Sequence, residues 1–252
     1  MKPPRLSAVV VARNEQEQLD GCLAALAFCD EIVVVLDRTT DGSGAIARNH
    51  GARVIEGGWE LEGPRRNTGL EAATGDWILE VDADERVSPE LAAEVVATIA
   101  SATGPAYYLI PFDNYIGRQR VRYGWGASWG VSAAVRLFTP GAKVWGNERI
   151  HPSLALSGQR RWLTCRMEHY VDRDISDMIT RFDRYTAQRA RDLRQSGDIG
   201  TLPRNLGRVF ARFYKCYVLR KGYREGAWGV LIALFAGLFP LFSHLRARLE
   251  DD

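Results

Sequence analysis

The segment 77–87, WILEVDADERV, places Asp82 and Asp84 one residue apart where an apolar run ends, with Glu80 before them and Glu85 after. Two carboxylates that close repel each other, and one would take up a proton unless a cation lay between them. A hard divalent ion relieves the repulsion. Mg2+ and Mn2+ take oxygen ligands and are commonly held by one or two carboxylates together with substrate phosphates. The plain alternative has Asp82 bonding a neighbouring loop and Asp84 facing water. Two other apolar runs also end in polar groups: Arg13, Asn14 and Glu15 follow 6–12, and Asp37 follows 31–36. In an open α/β sheet the ligand crevice lies beyond the carboxyl ends of the strands, so three such ends describe one binding site. Arg65 and Arg66, at the start of a later helical pattern, add a guanidinium fork towards a ribose or phosphates.

Those ends must be positioned by alternating strands and helices. The apolar run at 6–12 reads as a parallel strand covered on both faces, and the mostly apolar segments 31–36, 52–56 and 77–81 read as three further strands. Between them, 15–28, 42–50 and 64–73 read as helices, and 88–100 follows as a helix with Ser88 as N-cap and Pro89 at its first position. Such alternation with short connections predicts an α/β protein with a parallel, doubly wound sheet and right-handed crossovers. Neither GxGxxG nor GxxxxGK[ST] occurs, so a metal-bridged diphosphate is the remaining way to hold a nucleotide. After 103 the pattern loosens into two further strands, at 106–112 and within 126–140, around a Gly-, Arg- and aromatic-rich stretch. A long basic helix is expected over 175–195, a linker over 201–205 and a helical tail over 206–249. The expected organisation is a strand-and-helix half carrying the polar strand ends (1–103), a second half of the same domain (104–200) and the tail (201–252).

The 252 residues suffice to bury a large core, and their composition excludes disordered and collagen-like classes. A net charge of +2 conceals an uneven distribution: 116–224 holds 22 Lys or Arg against 8 Asp or Glu. That excess suggests an anionic partner, whether a phosphorylated substrate, a lipid surface or a nucleic acid, against a plainer reading of solvated helix faces. Cys22, Cys29, Cys165 and Cys216 have no metal spacing and read as reduced thiols of a cytosolic protein. The first apolar run meets Arg13 and Asn14 at once with no small-residue cleavage site, which favours a first strand over a signal peptide.

The ordered set VVVARNE, EIVVVLDRTTDGS and GPRRNTGLEAATGDWILEVDADERV closely resembles the N-terminal half of family 2 glycosyltransferases with the GT-A fold. More narrowly it is similar to the bacterial branch acting on lipopolysaccharide core or related envelope glycans. The resemblance covers about the first hundred residues and rests on four motifs in order. It implies a Rossmann-like, mostly parallel sheet with flanking helices. It further implies an inverting, metal-dependent transfer from a nucleotide sugar, such as UDP-glucose, to a glycan or glycolipid. By it, Arg13, Asn14, Glu15 and Asp37 line the nucleotide pocket, and Arg66 and Asn67 match the pair that opens the helix before the acidic strand. Asp82 faces the ribose and diphosphate, with Asp84, and Asp82 beside it, at Mg2+ or Mn2+. One departure is Arg38-Thr39, where a small Gly-Ser pair is usual.

An inverting transfer needs a general base for the acceptor hydroxyl and a cation for the leaving diphosphate. The segment KVWGNERIHPSLALSG resembles a family stretch that reads His-Glu, yet Pro152 follows His151 here. Glu148 is the first candidate base, with His151 and Asp113 as alternatives. His169 matches a His-Tyr pair of the family and either orients the acceptor or is structural. Trp125 and Trp129 either stack on a sugar ring or pack. In the tail, the stretch 226–243 carries no charge and follows a basic, aromatic segment. This favours peripheral contact with an anionic inner membrane at its cytoplasmic face, over a packed helix pair or homodimer contact and over a span. Two other classes remain in view. A nucleotidyltransferase would want a Gly-rich basic loop after the first strand, and a nucleic-acid binder would set Asp37, Asp82 and Asp84 against phosphates.

Overall fold

The structure is a computed structural model that describes residues 3–126, 129–148 and 152–250. Along the chain run β1 (Leu6–Ala12), α1 (Gln16–Ala24), β2 (Glu31–Asp37), α2 (Ser43–Asn49), β3 (Arg53–Gly57), α3 (Glu62–Ala72), β4 (Trp77–Asp82), the short β5 (Glu85–Arg86) and α4 (Pro89–Ser101). There follow β6 (Ala106–Ile116), β7 (Gln119–Val121), β8 (Ala133–Phe138), β9 (Lys143–Trp145), β10 (Leu154–Leu156), β11 (Gln159–Trp162) and β12 (Met167–Asp172). Three helices close the chain: α5 (Ile175–Ser196), α6 (Leu202–Tyr214) and α7 (Ala227–Leu249). The chain forms two compact units. One comprises Met1–Phe112 with Ala133–His169, the other Asp113–Ser132 with Tyr170–Asp252.

The first unit carries the sheet, in the order β3-β2-β1-β4-β8-β6-β12-β5. Every residue of β1 is buried, as expected of a strand covered on both faces. Its parallel pairing sets Ala12 beside Leu36 of β2 and Val11 beside Asp82 of β4. This register brings the three polar strand ends to one edge. β1 to β4 follow the expected parallel pattern, and β11 also pairs parallel to β6. β8 runs antiparallel to β4 and to β6, because the second half of the chain returns to the sheet without crossover helices. Ser88 caps α4 as expected, its Oγ accepting from the Leu91 amide at 3.2 Å, with Pro89 in the first turn. A Cβ at Gly63 would lie 1.7 Å from the Gly146 carbonyl oxygen, so only glycine lets α3 approach the chain after β9 this closely.

The second unit is built around α7. Ile232, Ala233, Ala236 and Phe239 of that helix join Trp125, Trp129, Met178 and Phe182 in one apolar core. The Asp174 side chain caps α5 by accepting from the Asp177 amide at 2.9 Å. Gly197 ends the same helix in the left-handed region, at φ 70°, where a residue without a Cβ carries no steric penalty. Two expectations change here. The 201–205 stretch opens α6, whose first turn tolerates Pro203 because amides there have no intrahelical partner. The tail is also two helices, separated by a π-helical turn at Lys215–Leu219 and by Lys221 and Gly226 at positive φ.

Candidate functional site

The end of β4 is a buried cluster of opposite charges. Glu80, 1% exposed, accepts from Lys143 Nζ at 2.5 Å, Arg66 Nη1 at 2.9 Å and the Trp145 indole N–H at 3.2 Å. Asp82 accepts from Arg66 through Oδ1 at 2.8 Å and from Arg136 through Oδ2. Glu85 takes the same Arg136 on one oxygen and the Asp82 amide, at 3.1 Å, on the other. Burial would push Glu80 and Asp82 up, but the surrounding cations outweigh it and hold both below the usual carboxylate range. Glu85 goes the other way, pushed up to about 7 by burial despite Arg136. Three carboxylates thus face Arg66, Arg136 and Lys143, so charges that would be costly to bury one at a time sit together in pairs.

The neighbouring strand end follows the same logic. Asp37, 2% exposed, accepts from Arg38 through both oxygens at 2.9 and 3.0 Å, from the Trp59 amide at 3.1 Å and from Arg65 at 3.2 Å. Arg38 and Asn14 both sit at positive φ (47° and 55°), and the Asn14 carboxamide accepts from the Thr40 amide at 2.8 Å. That bond ties the loop after β1 to the loop after β2. Glu15 begins α1, its amide donating to Ser43 Oγ at 3.0 Å, and Arg13 is exposed at the same edge. Arg13, Asn14, Asp37, Arg66 and Asp82 therefore share one rim, as expected.

The family model described as "Glycosyl transferase family 2" matches residues 7–146, which is more than half of the chain. This chain belongs to glycosyltransferase family 2. A glycosyltransferase of Rickettsia felis, described as uncharacterised, is 24% identical over 98% of this chain and 90% of its own length. The lipopolysaccharide core biosynthesis glycosyltransferase LpsC of Rhizobium meliloti is 24% identical over 88% of this chain and 82% of its own. Among solved structures, S. aureus TarS 1-349 superposes with a TM-score of 0.49 at 16% identity, covering 96% of this chain and 80% of that one.

Within this glycosyltransferase the expected residues separate by environment. Asp82 has both carboxylate oxygens on guanidinium groups, whereas Asp84 is about two-fifths exposed and meets His169 Nε2 at 3.4 Å. Burial would lower the His169 pKa, but its hydrogen bond to Asp84 and the carboxylates of Glu85 and Asp82 raise it. Among the described residues no group of three or more acidic, His or Cys side chains is assembled for a metal. A cation here would rest on Asp84, with His169 beside it, and would draw its other ligands from a diphosphate and water. The donor set fits Mg2+ or Mn2+ on those terms. Asn67 lies in α3 but faces β9, donating to the Trp145 carbonyl at 2.8 Å and accepting from the Trp145 amide at 3.0 Å.

The candidate bases also diverge. Glu148 is exposed and accepts from the Ser153 amide at 3.0 Å and the Ser153 hydroxyl at 2.8 Å, and these bonds lower its pKa. His151 lies outside the described residues. Asp113, in the second unit, is held by Arg122, whose Nε and Nη2 each donate to it at 2.8 Å, as expected of a structural fork pair. The sugar-stacking reading of Trp125 and Trp129 gives way to packing. Trp125 is 3% exposed and its indole donates to the Val121 carbonyl at 2.6 Å, while Trp129 is fully buried and stacks on Phe235 at 5.1 Å. Arg136 and Lys143 were missed by sequence reasoning. Arg136 lies within β8 and Lys143 begins β9, and their carboxylate partners on β4 are far away in sequence, so only the tertiary fold reveals them.

Proposed function

We propose that this enzyme transfers a hexose from a UDP-sugar, with inversion, to a glycan or glycolipid acceptor of the lipopolysaccharide core or a related envelope polymer. The arrangement that carries this reading is the division of labour after β4, with Asp82 neutralised by arginines and Asp84 left open beside His169. The likeness to a lipopolysaccharide core transferase, over 88% of this chain and 82% of that one, supports the acceptor class. In this reading Mg2+ or Mn2+ at Asp84 would neutralise charge on the departing nucleoside diphosphate. Arg13, Asn14 and Asp37 hold the nucleotide, and Arg66 and Arg136 keep Asp82 ionised and fixed for the ribose. The acceptor oxygen bonds to the anomeric carbon from the face opposite the leaving group, the bond to the diphosphate breaks, and the hydroxyl proton passes to Glu148. Sugar nucleotides are made in the cytoplasm, so the enzyme works at the cytoplasmic face of the inner membrane.

A thermal-shift panel of UDP-, GDP- and dTDP-sugars, with and without Mn2+, tests the donor. A ligand that binds only the folded state at a hundredfold its dissociation constant adds about 2.7 kcal/mol to stability. The expected result is a metal-dependent shift with one UDP-hexose, and no shift with any sugar nucleotide would refute the reading. Glu148→Gln should abolish turnover while leaving the donor-induced shift intact. Near-normal turnover would remove Glu148 as the base.

A further inference from the structure

Helix α6 has two unlike sides. Val209 and Phe213 turn inward, and Asn205 is buried with its side chain donating to the Thr201 carbonyl at 3.0 Å. On the outward side Leu202, Leu206, Phe210 and Tyr214 recur every fourth residue and form one stripe along the helix. Their exposures are 45%, 43%, 75% and 55%. An apolar stripe this open on a folded unit marks a docking surface. Arg204, Arg208 and Lys215 are exposed on a separate strip of the same helix and its continuation, on the other flank of its outward side. From residue 199 to residue 224 there are seven Lys or Arg and no Asp or Glu.

We infer that α6 lies in the surface of an anionic lipid bilayer, with Leu206 and Phe210 in the acyl boundary and Arg204, Arg208 and Lys215 among the headgroups. Apolar side chains on one flank and a purely basic strip on the other match both layers of such a surface. A second copy of this chain fits less well. An isologous contact sets the same surface against itself, and the stretch 199–224, with no Asp or Glu, offers no carboxylate to the partner's basic side chains. The helix α7 is long and apolar enough to span a membrane, with a mean hydropathy of 1.8 over an 18-residue window, yet half of that window is buried. Ile232, Ala236 and Phe239 of α7 belong to the core, so α7 acts as the scaffold and α6 as the contact. The inference gains its purpose from the glycolipid reading above, but its test needs neither donor nor turnover.

The full chain is sedimented with vesicles of phosphatidylcholine alone and with vesicles containing phosphatidylglycerol. Binding should require phosphatidylglycerol and weaken as salt rises through the screening range. Phe210→Glu should reduce the bound fraction about tenfold or more. Arg204→Gln and Arg208→Gln should each reduce it about fivefold, the factor expected for one basic side chain near an anionic surface. The far-UV circular dichroism and melting temperature of each variant should match those of the parent. No sedimentation with phosphatidylglycerol vesicles, or equal binding by Phe210→Glu, would overturn the inference. So would a concentration-dependent dimer in vesicle-free buffer that Phe210→Glu abolishes, since that assigns the stripe to a second copy.

Discussion

The end of β4 and helix α6 handle charge in opposite ways. At the end of β4, Lys143 and Glu80 are each almost fully buried, and every carboxylate of the cluster has a cation within hydrogen-bonding distance. In α6 Arg204 and Arg208 are exposed, and so are Leu202, Leu206, Phe210 and Tyr214. The first arrangement fixes side chains in one geometry, because in a low-dielectric site a charge is stable only where its partner is. The second fixes little within the unit and leaves a surface ready for something outside it. A site that must hold a diphosphate in register needs the first kind. A surface that must settle on a fluid layer needs only the second.

The contrast can be broken at several points. Glu80→Gln should have the largest effect, a loss of about 3–5 kcal/mol, because it leaves the Lys143 ammonium buried without its carboxylate. Urea denaturation would check this, and adding Lys143→Met should restore part of the loss. A neutral Glu80→Gln would mean that the cluster is not held by paired charge. Asp84→Asn is next. It should lower kcat about 100-fold or more, as expected when charge stabilisation at a leaving group is removed. Its urea midpoint should stay close to that of the parent, since Asp84 is the exposed member of the pair. A destabilised Asp84→Asn protein would make this carboxylate structural instead.

Glu31 sharpens the comparison at smaller scale. One of its oxygens accepts from the Ser7 hydroxyl at 2.5 Å, the Thr74 amide at 2.8 Å and the Thr74 hydroxyl at 3.0 Å. Burial raises its pKa, but these bonds more than offset it, and the folded value lies below the ordinary 4.5. A carboxyl with a depressed folded pKa contributes stability that is present above its unfolded pKa and lost as pH falls through the folded one. Stability should therefore fall below about pH 4.5 less steeply in Glu31→Gln than in the parent, with a difference of about 1 kcal/mol near neutrality. Urea midpoints between neutral and acid pH would show it, and parallel curves would reject it. The smallest effect belongs to Phe210→Ser, which should change stability by no more than about 0.5 kcal/mol, since a mostly exposed side chain contributes little to the fold. A larger loss would show that α6 depends on its outer stripe.

Much of the first hundred residues was readable in advance because its signals are local. Unbroken apolar runs mark β1, β2 and β4, a Ser-Pro-Glu start marks α4, and the polar residues after each strand fall at one rim once the strands are parallel. The partners of Asp82 were not readable. Arg136 is 54 residues away in sequence and Lys143 is 63 away from Glu80, and nothing local in either segment announces an ion pair. Glu80 had no assigned role for the same reason. Trp125 and Trp129 looked like sugar platforms because an aromatic-rich loop gives no sign of whether its rings point in or out.

The amino-acid sequence by itself determined the parallel first half, the order of its strand ends and the family, since each depends on short-range periodicity and motif spacing. It also determined the basic excess of the second half and the apolar run of α7. Tertiary structure alone decided which carboxylate is neutralised and which stays open, through the antiparallel return of β8 beside β4. It alone decided too that α7 is core and α6 is surface. Helical periodicity shows that a helix has two faces, but which of them is covered depends on neighbours distant along the chain.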